Sequence, residues 1–170
     1  NRFIAPWPVI RSLCLRHYTV CRSLRCTDDK VKSATVVVPA RNERGNIEAA
    51  VQRLPRFTPE LEIVFVEGHS SDGTWEEIQR VIAAYPHHDI KALRQPGKGK
   101  ADAVFTAFEI ARGDVLMILD ADLTMPPEQL PKFWDVVRSG KGEFVNGTRL
   151  VYPMEDEAMR FLNLVANKFF

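Results

Sequence analysis

From Ala34 onward the chain alternates between short apolar runs and stretches of helical period. Ala34–Pro39 (ATVVVP), Leu61–Val66 (LEIVFV), Ile90–Leu93 and Val115–Leu119 (VLMIL) are each too short to be a buried helix. Runs of this kind, with many β-branched residues and little alternation, are strands covered on both faces. Between and after them the spacing predicts helices over Asn46–Leu54, Thr74–Tyr85, Ala101–Ala111 and Pro126–Val137, the last opening on Pro-Pro and ending before Gly140. Phe144–Asn146 is a fifth strand candidate and Glu157–Phe170 a final helix. Strands alternating with helices dictate βαβ units, hence an α/β fold with a mostly parallel sheet between helical layers.

Ligands of such sheets sit at the carboxyl ends of the strands, and polar residues follow the strands here. Arg41, Asn42 and Glu43 follow the first, Glu67 to Asp72 the second, and Asp120 and Asp122 the fourth. Asp120-Ala121-Asp122 is the strongest signal. Two carboxylates one residue apart at the end of an apolar strand repel each other unless a cation lies between them. Mg²⁺ or Mn²⁺ together with a diphosphate meets that need, since both ions favour carboxylate and phosphate oxygens. The competing interpretation is a surface turn in which Asp122 caps the backbone. The same stretch also resembles the nucleophile loop of haloacid-dehalogenase-like phosphatases. That alternative needs the loop on an early strand, then a downstream Lys and a further acidic pair; here the loop follows the fourth strand, and no later acidic pair ends a strand.

Two further segments carry chemistry. In Glu67-Gly-His-Ser-Ser-Asp72-Gly-Thr74 a strand-end carboxylate can accept from a nucleobase or ribose, Gly68 permits close backbone approach, and Asp72-Gly73 turns into a helix start. Ser71 and Asp72 also suit plain helix capping, and His69 a solvated loop. Pro96-Gly97-Lys98-Gly99-Lys100 is a basic, glycine-rich approach to a helix, suited to phosphate or to a mobile surface turn. The Gly-Lys-Ser/Thr ending of a P-loop is missing.

Composition narrows the class without naming it. With 170 residues, 26% of them charged, and a net charge of +1, the chain has one domain's worth of core and too little positive charge for a nucleic-acid partner. Residues 1–33 read as a linker or the tail of a preceding domain. They are rich in Arg and contain Cys14, Cys21 and Cys26, whose spacing fits neither paired zinc ligands nor a disulfide framework. Reduced thiols imply a cytosolic compartment. No run reaches the length of a membrane span, and no signal peptide is visible. The ends, Asn1 and Phe169-Phe170, read as cuts from something longer.

Together, ATVVVPARNERGNIEAAV, EIVFVEGHSSDGTWEEI, GKGKADAV and ARGDVLMILDADLTMPPEQL resemble the large inverting glycosyltransferase family 2, with its GT-A, Rossmann-like nucleotide-diphospho-sugar transferase fold. Within it the pattern is most similar to polyprenyl-phosphate glycosyltransferases of the dolichyl-phosphate mannose synthase type. The resemblance covers residues 34–170, and it implies a domain truncated at its C-terminus. Residues 1–30 resemble, faintly, the end of a methyltransferase domain. By the family resemblance, Pro39, Ala40, Asn42, Glu43 and Glu67 line a nucleoside pocket, Lys98, Asp120 and Ala121 complete the nucleotide-sugar site, and Asp120 and Asp122 hold the metal. Where the family has two adjacent aspartates, this chain has Glu67 and Gly68, so the base selectivity does not carry over.

The implied reaction transfers a sugar, with inversion, from a nucleoside diphosphate to a polyprenyl phosphate or another glycan acceptor. A phosphate acceptor is already ionised and needs almost no general base. Arg149, after the expected fifth strand, is the candidate ligand for that phosphate, because a guanidinium matches it bidentately. A non-catalytic nucleotide-sugar-binding module is the other class this sequence allows. The broad apolar arc of Glu157–Phe170 adds an expected contact with the membrane surface or with further protein.

Overall fold

A computed structural model describes residues 33–147. Four strands, β1 (Ser33–Ala40), β2 (Glu60–Glu67), β3 (Asp89–Arg94) and β4 (Val115–Ile118), form one sheet in the order β3-β2-β1-β4. Every pairing is parallel, with Val38 opposite Phe65 and Val37 opposite Ile118. Four α-helices connect and follow the strands: α1 (Ile47–Arg53), α2 (Thr74–Ala84), α3 (Lys100–Phe108) and α4 (Leu130–Arg138). Single 3-10 turns, Arg44–Asn46 and Pro127–Gln129, lead into α1 and α4.

The apolar runs of the sequence become the centre of this sheet because both of its faces are covered. On one face Val36, Val38, Ile63, Phe65 and Met117 pack with Ile47 and Val51 of α1, Ile78 and Val81 of α2, and Leu130 and Trp134 of α4. On the other, Val37, Val64 and Val66 meet Ala103 and Ala107 of α3. Burying a Val, Ile or Phe side chain contributes about 1.5–3 kcal/mol, so the doubly covered β1 and β2 anchor the domain. The expected α/β/α layering is observed.

Two expectations need correction. Phe144–Asn146 is irregular, not a strand, and Phe144 stands exposed. The four residues between Gly142 and Gly147 contain too little apolar surface to secure a place beside β4. In addition, β4 is not buried on both faces: Leu116 and Ile118 are 41% and 43% exposed, on the face that α3 covers farther along the sheet. The Cys residues, Arg149 and the Glu157–Phe170 segment lie outside the described residues. Among the described residues, no helix is long and apolar enough to cross a membrane.

The amino end of β4 is held by the Arg112-Gly113-Asp114 approach. Gly113 N–H donates to Thr35 Oγ1 (2.9 Å) and Asp114 N–H to Ser33 Oγ (2.9 Å), while the Asp114 carboxylate accepts from Ser33 N and Oγ. A Cβ on Gly113 would lie 2.4 Å from the backbone nitrogen of Thr35, so only glycine lets these chains touch. Beneath them the buried Glu62 accepts from Thr35 Oγ1 (2.6 Å), Arg112 N (3.0 Å), Arg112 Nε (3.0 Å) and Lys91 Nζ (2.6 Å). Burial alone raises the pKa of this carboxyl, but the hydrogen bonds from Lys91, Thr35 and Arg112 outweigh it and lower the pKa to about 2.

Candidate nucleotide-sugar site

The chain steps outward from β1 to β2 and β3, then returns to place β4 on the other side of β1. The connections after β1 and β4 therefore diverge, and a crevice opens between the carboxyl ends of those strands. It encloses about 540 Å³ and is lined from β1 by Pro39, Ala40, Arg41 and Glu43, and from β4 by Asp120, Ala121 and Asp122. Gly68 and His69 after β2, Gln95 after β3, and Lys98 to Lys100 at the start of α3 close its remaining sides. A larger hollow, about 670 Å³, lies at the opposite end of the strands, around Glu62, Asp89 and Arg112. Two of its carboxylates, Glu62 and Asp89, are already paired with Lys91 and Arg112.

The β1 and β2 loops are fastened to each other. Asn42 adopts a left-handed conformation (φ 56°), its N–H donates to Ser70 Oγ (2.9 Å), and its Oδ1 accepts from Ser71 N (2.9 Å). Glu43 N–H donates to Thr74 Oγ1, and Asp72 accepts from the N–H groups of Arg44 and Thr74. Asp72 thus satisfies the first N–H of α2 from just outside the cap position, which Gly73 occupies. The β2 loop is fixed to the α3 approach through His69 Nε2, 2.9 Å from the Gly97 carbonyl oxygen. Gln95 Nε2 donates to that same oxygen (3.0 Å).

Of the expected site residues, Pro39, Ala40, Glu43, Lys98, Asp120, Ala121 and Asp122 line the crevice. Asn42 instead props the loop beside it. Glu67 lies below the rim: it is 4% exposed, its Oε1 accepts from Ser70 N, and its Oε2 is 4.0 Å from Arg94 Nε. Arg94 in turn stacks over Trp75, 4.5 Å from the ring centroid. Arg149 lies outside the described residues.

Sequence reasoning did not single out Gln95, and it read Lys100 only as part of the basic, glycine-rich approach to α3. Gln95, 5% exposed, directly follows β3, and the strand-end rule applied to that weak strand would have found it. Its Oε1 would stand 2.9 Å from a Cβ on residue 68, so a side chain there would push the Gln95 amide aside. Lys100 is ion-paired with Asp120 Oδ1, a contact between sheet and helix that spacing cannot reveal.

Asp122 Oδ1 accepts from Thr124 N (3.0 Å), so the turn-capping interpretation is also correct. One such bond leaves the second carboxylate oxygen available. Among the described residues, no three acidic, His or Cys side chains cluster as a complete metal shell. Two carboxylates suit Mg²⁺ or Mn²⁺, which take one or two protein carboxylates and fill the remaining positions with phosphate oxygens and water. The donor set fits such an ion only in the company of a diphosphate.

Comparison with known proteins agrees with this geometry. A family model described as glycosyl transferase family 2 matches residues 35–168. A dolichol-phosphate mannosyltransferase from Pyrococcus furiosus is 37% identical over 136 residues, which are 79% of this chain and 38% of that protein. An undecaprenyl-phosphate 4-deoxy-4-formamido-L-arabinose transferase from Aeromonas hydrophila is 30% identical over 65% of this chain and 35% of that protein. Among solved structures, a mannosyltransferase from Pyrobaculum calidifontis in complex with GDP-Man and Mn²⁺ superposes with a TM-score of 0.54. It is 29% identical, and the match covers 75% of this chain and 36% of that one. The chain thus spans well under half the length of these relatives. The fold is the GT-A fold, and the phosphatase-like alternative is set aside. With its parallel sheet, its strand-end carboxylate pair and a family match across most of its length, the chain belongs to glycosyltransferase family 2.

Proposed function

We propose that this chain is the donor-binding half of an inverting glycosyltransferase that moves a sugar from a nucleoside diphosphate to a polyprenyl phosphate. The carrying observation is the crevice at the switch point between β1 and β4, which offers two carboxylates on one side and two lysines on the other. Asp120 and Asp122 hold Mg²⁺ or Mn²⁺, which stabilises negative charge on the departing diphosphate. Lys98, which makes no ion pair among the described residues, faces the same diphosphate. Pro39, Ala40 and Glu43 form the wall for the nucleoside, while Asn42 and Glu67 hold the two loops that shape it. Arg149 is the proposed ligand of the acceptor phosphate. The relatives named for dolichol- and undecaprenyl-phosphate support that acceptor class. The apolar arc of Glu157–Phe170 is proposed to face the membrane or further protein, with the domain on the cytoplasmic side.

The test is thermal stabilisation by GDP and UDP with and without Mn²⁺, because a ligand that binds only the folded state raises the melting temperature. We expect one of the two nucleotides to raise it only when Mn²⁺ is present, and Asp122→Asn to abolish that rise. Stabilisation in the variant without metal, equal to wild type, overturns the assignment of Asp122.

A further inference from the structure

Lys100 occupies an unusual position for a cation. It is the first residue of α3, where the helix dipole disfavours positive charge, and its ammonium is paired with Asp120 Oδ1. Asp120 is one of only two carboxylates lining the crevice from β4, and Asp122 is already partly committed to Thr124 N. Among the described residues, Lys100 is therefore the cation ion-paired with this acidic motif, through Asp120. It also stands beside Lys98 and Gly99 on the wall facing them.

We propose that Lys100 is the resting counter-ion of Asp120 and moves to the donor diphosphate when metal and nucleotide enter together. This rests on the metal and donor reading given above. With Lys100 on Asp120, a divalent cation arriving alone has to displace an ammonium and strand it at the positive end of a helix. When a diphosphate arrives with the cation, the released ammonium gains a dianionic partner at that same helix start, where anions are favoured. Metal and nucleotide each make the other's binding easier, and the coupling is reciprocal. Both partners are half exposed, at 58% and 40% of their side-chain surface, so the resting pair is weak enough to break on binding. It is also strong enough to hold down affinity for the bare metal.

The experiment measures Mn²⁺ binding by the electron paramagnetic resonance signal of the free ion, with and without GDP or UDP, in wild type, Lys100→Met and Lys100→Arg. The exposed helix-start position makes these variants mild for folding, and circular dichroism checks it. We expect Lys100→Met to bind Mn²⁺ alone about two- to fivefold more tightly, the range expected from losing an exposed ion pair. The same variant should bind the Mn²⁺–nucleotide pair about tenfold more weakly, for want of one charged hydrogen bond. Lys100→Arg, which keeps the charge, should restore the coupling in part. Unchanged Mn²⁺ affinity and unchanged coupling in folded Lys100→Met overturn the role of Lys100 while leaving the metal site intact. If Asp122→Asn binds Mn²⁺ as wild type does, the metal site itself falls, and the counter-ion role falls with it.

Discussion

Glu67 illustrates how a strand-end carboxylate expected beside a nucleoside is held by its own neighbours in the fold. A carboxylate at a strand end invites a base or ribose, yet here it is buried and its acceptor capacity is directed to Ser70 N and Arg94. Glu67→Ala would leave the Ser70 N–H without its partner, at a cost of about 1–3 kcal/mol. We expect a lower melting temperature together with weaker nucleoside diphosphate binding, while Mn²⁺ dependence persists. Glu67→Gln, which retains an acceptor for Ser70, should recover most of the stability, and thermal denaturation with a nucleotide titration checks both. Asp120 and Asp122 were legible from sequence because their signal is local: two acids directly beyond an apolar run. Gln95 was not, nor was the pairing of Lys100 with Asp120, because both depend on what lies across the crevice.

At the scale of elements, the junction that sets β4 beside β1 is the clearest target. The Glu62 carboxyl has its folded pKa lowered to about 2, below its ordinary value near 4.5. Its stabilising contribution is therefore present in full above about pH 4.5 and is lost as the pH falls toward 2. After discounting for water around the half-exposed Arg112, that contribution is about 2 kcal/mol. Glu62→Gln should lower stability by a similar amount at neutral pH and flatten the acid limb of a stability-versus-pH curve measured by urea denaturation. Gly113→Ala should cost more, about 3 kcal/mol or above, since its methyl group meets the β1 backbone, which cannot yield as a side chain can. The four strands and four α-helices were legible to within a few residues because periodicity and capping residues are local. The Phe144–Asn146 strand was misjudged because a three-residue run has no periodicity to test, and only a neighbour to pair with decides such a case.

Taken whole, the domain is a sheet whose inner strands are far better covered than its β3 edge. β1 and β2 are almost fully buried, whereas β3 is half exposed. Amide hydrogen exchange followed by mass spectrometry should show Val36–Val38 and Val64–Val66 opening only with global unfolding. Residues 90–93 should exchange faster through local opening. Equal rates across all three strands would contradict this ranking. The α2–α1 side is tied by Arg80, whose guanidinium pairs with both Glu77 and Glu48, while Tyr85 donates to Glu48. These are surface links that register the helices and contribute little stability of their own.

By itself the sequence determined the element types, the parallel α/β class and the two acids most worth suspecting. Hydrophobic period, β-branched content and the residue after a strand are all properties of neighbours along the chain. Only the tertiary structure decided that β4 lies beside β1 rather than β3, because strand order depends on long-range packing to which a local pattern is blind. From that order follow the crevice between Pro39–Glu43 and Asp120–Asp122, the burial of Glu67 beneath the rim, and the pairing of Lys100 with Asp120 across it. Each depends on two segments distant in sequence being brought to the same end of one sheet, and burial of both faces of β1 is the physical force that brings them there.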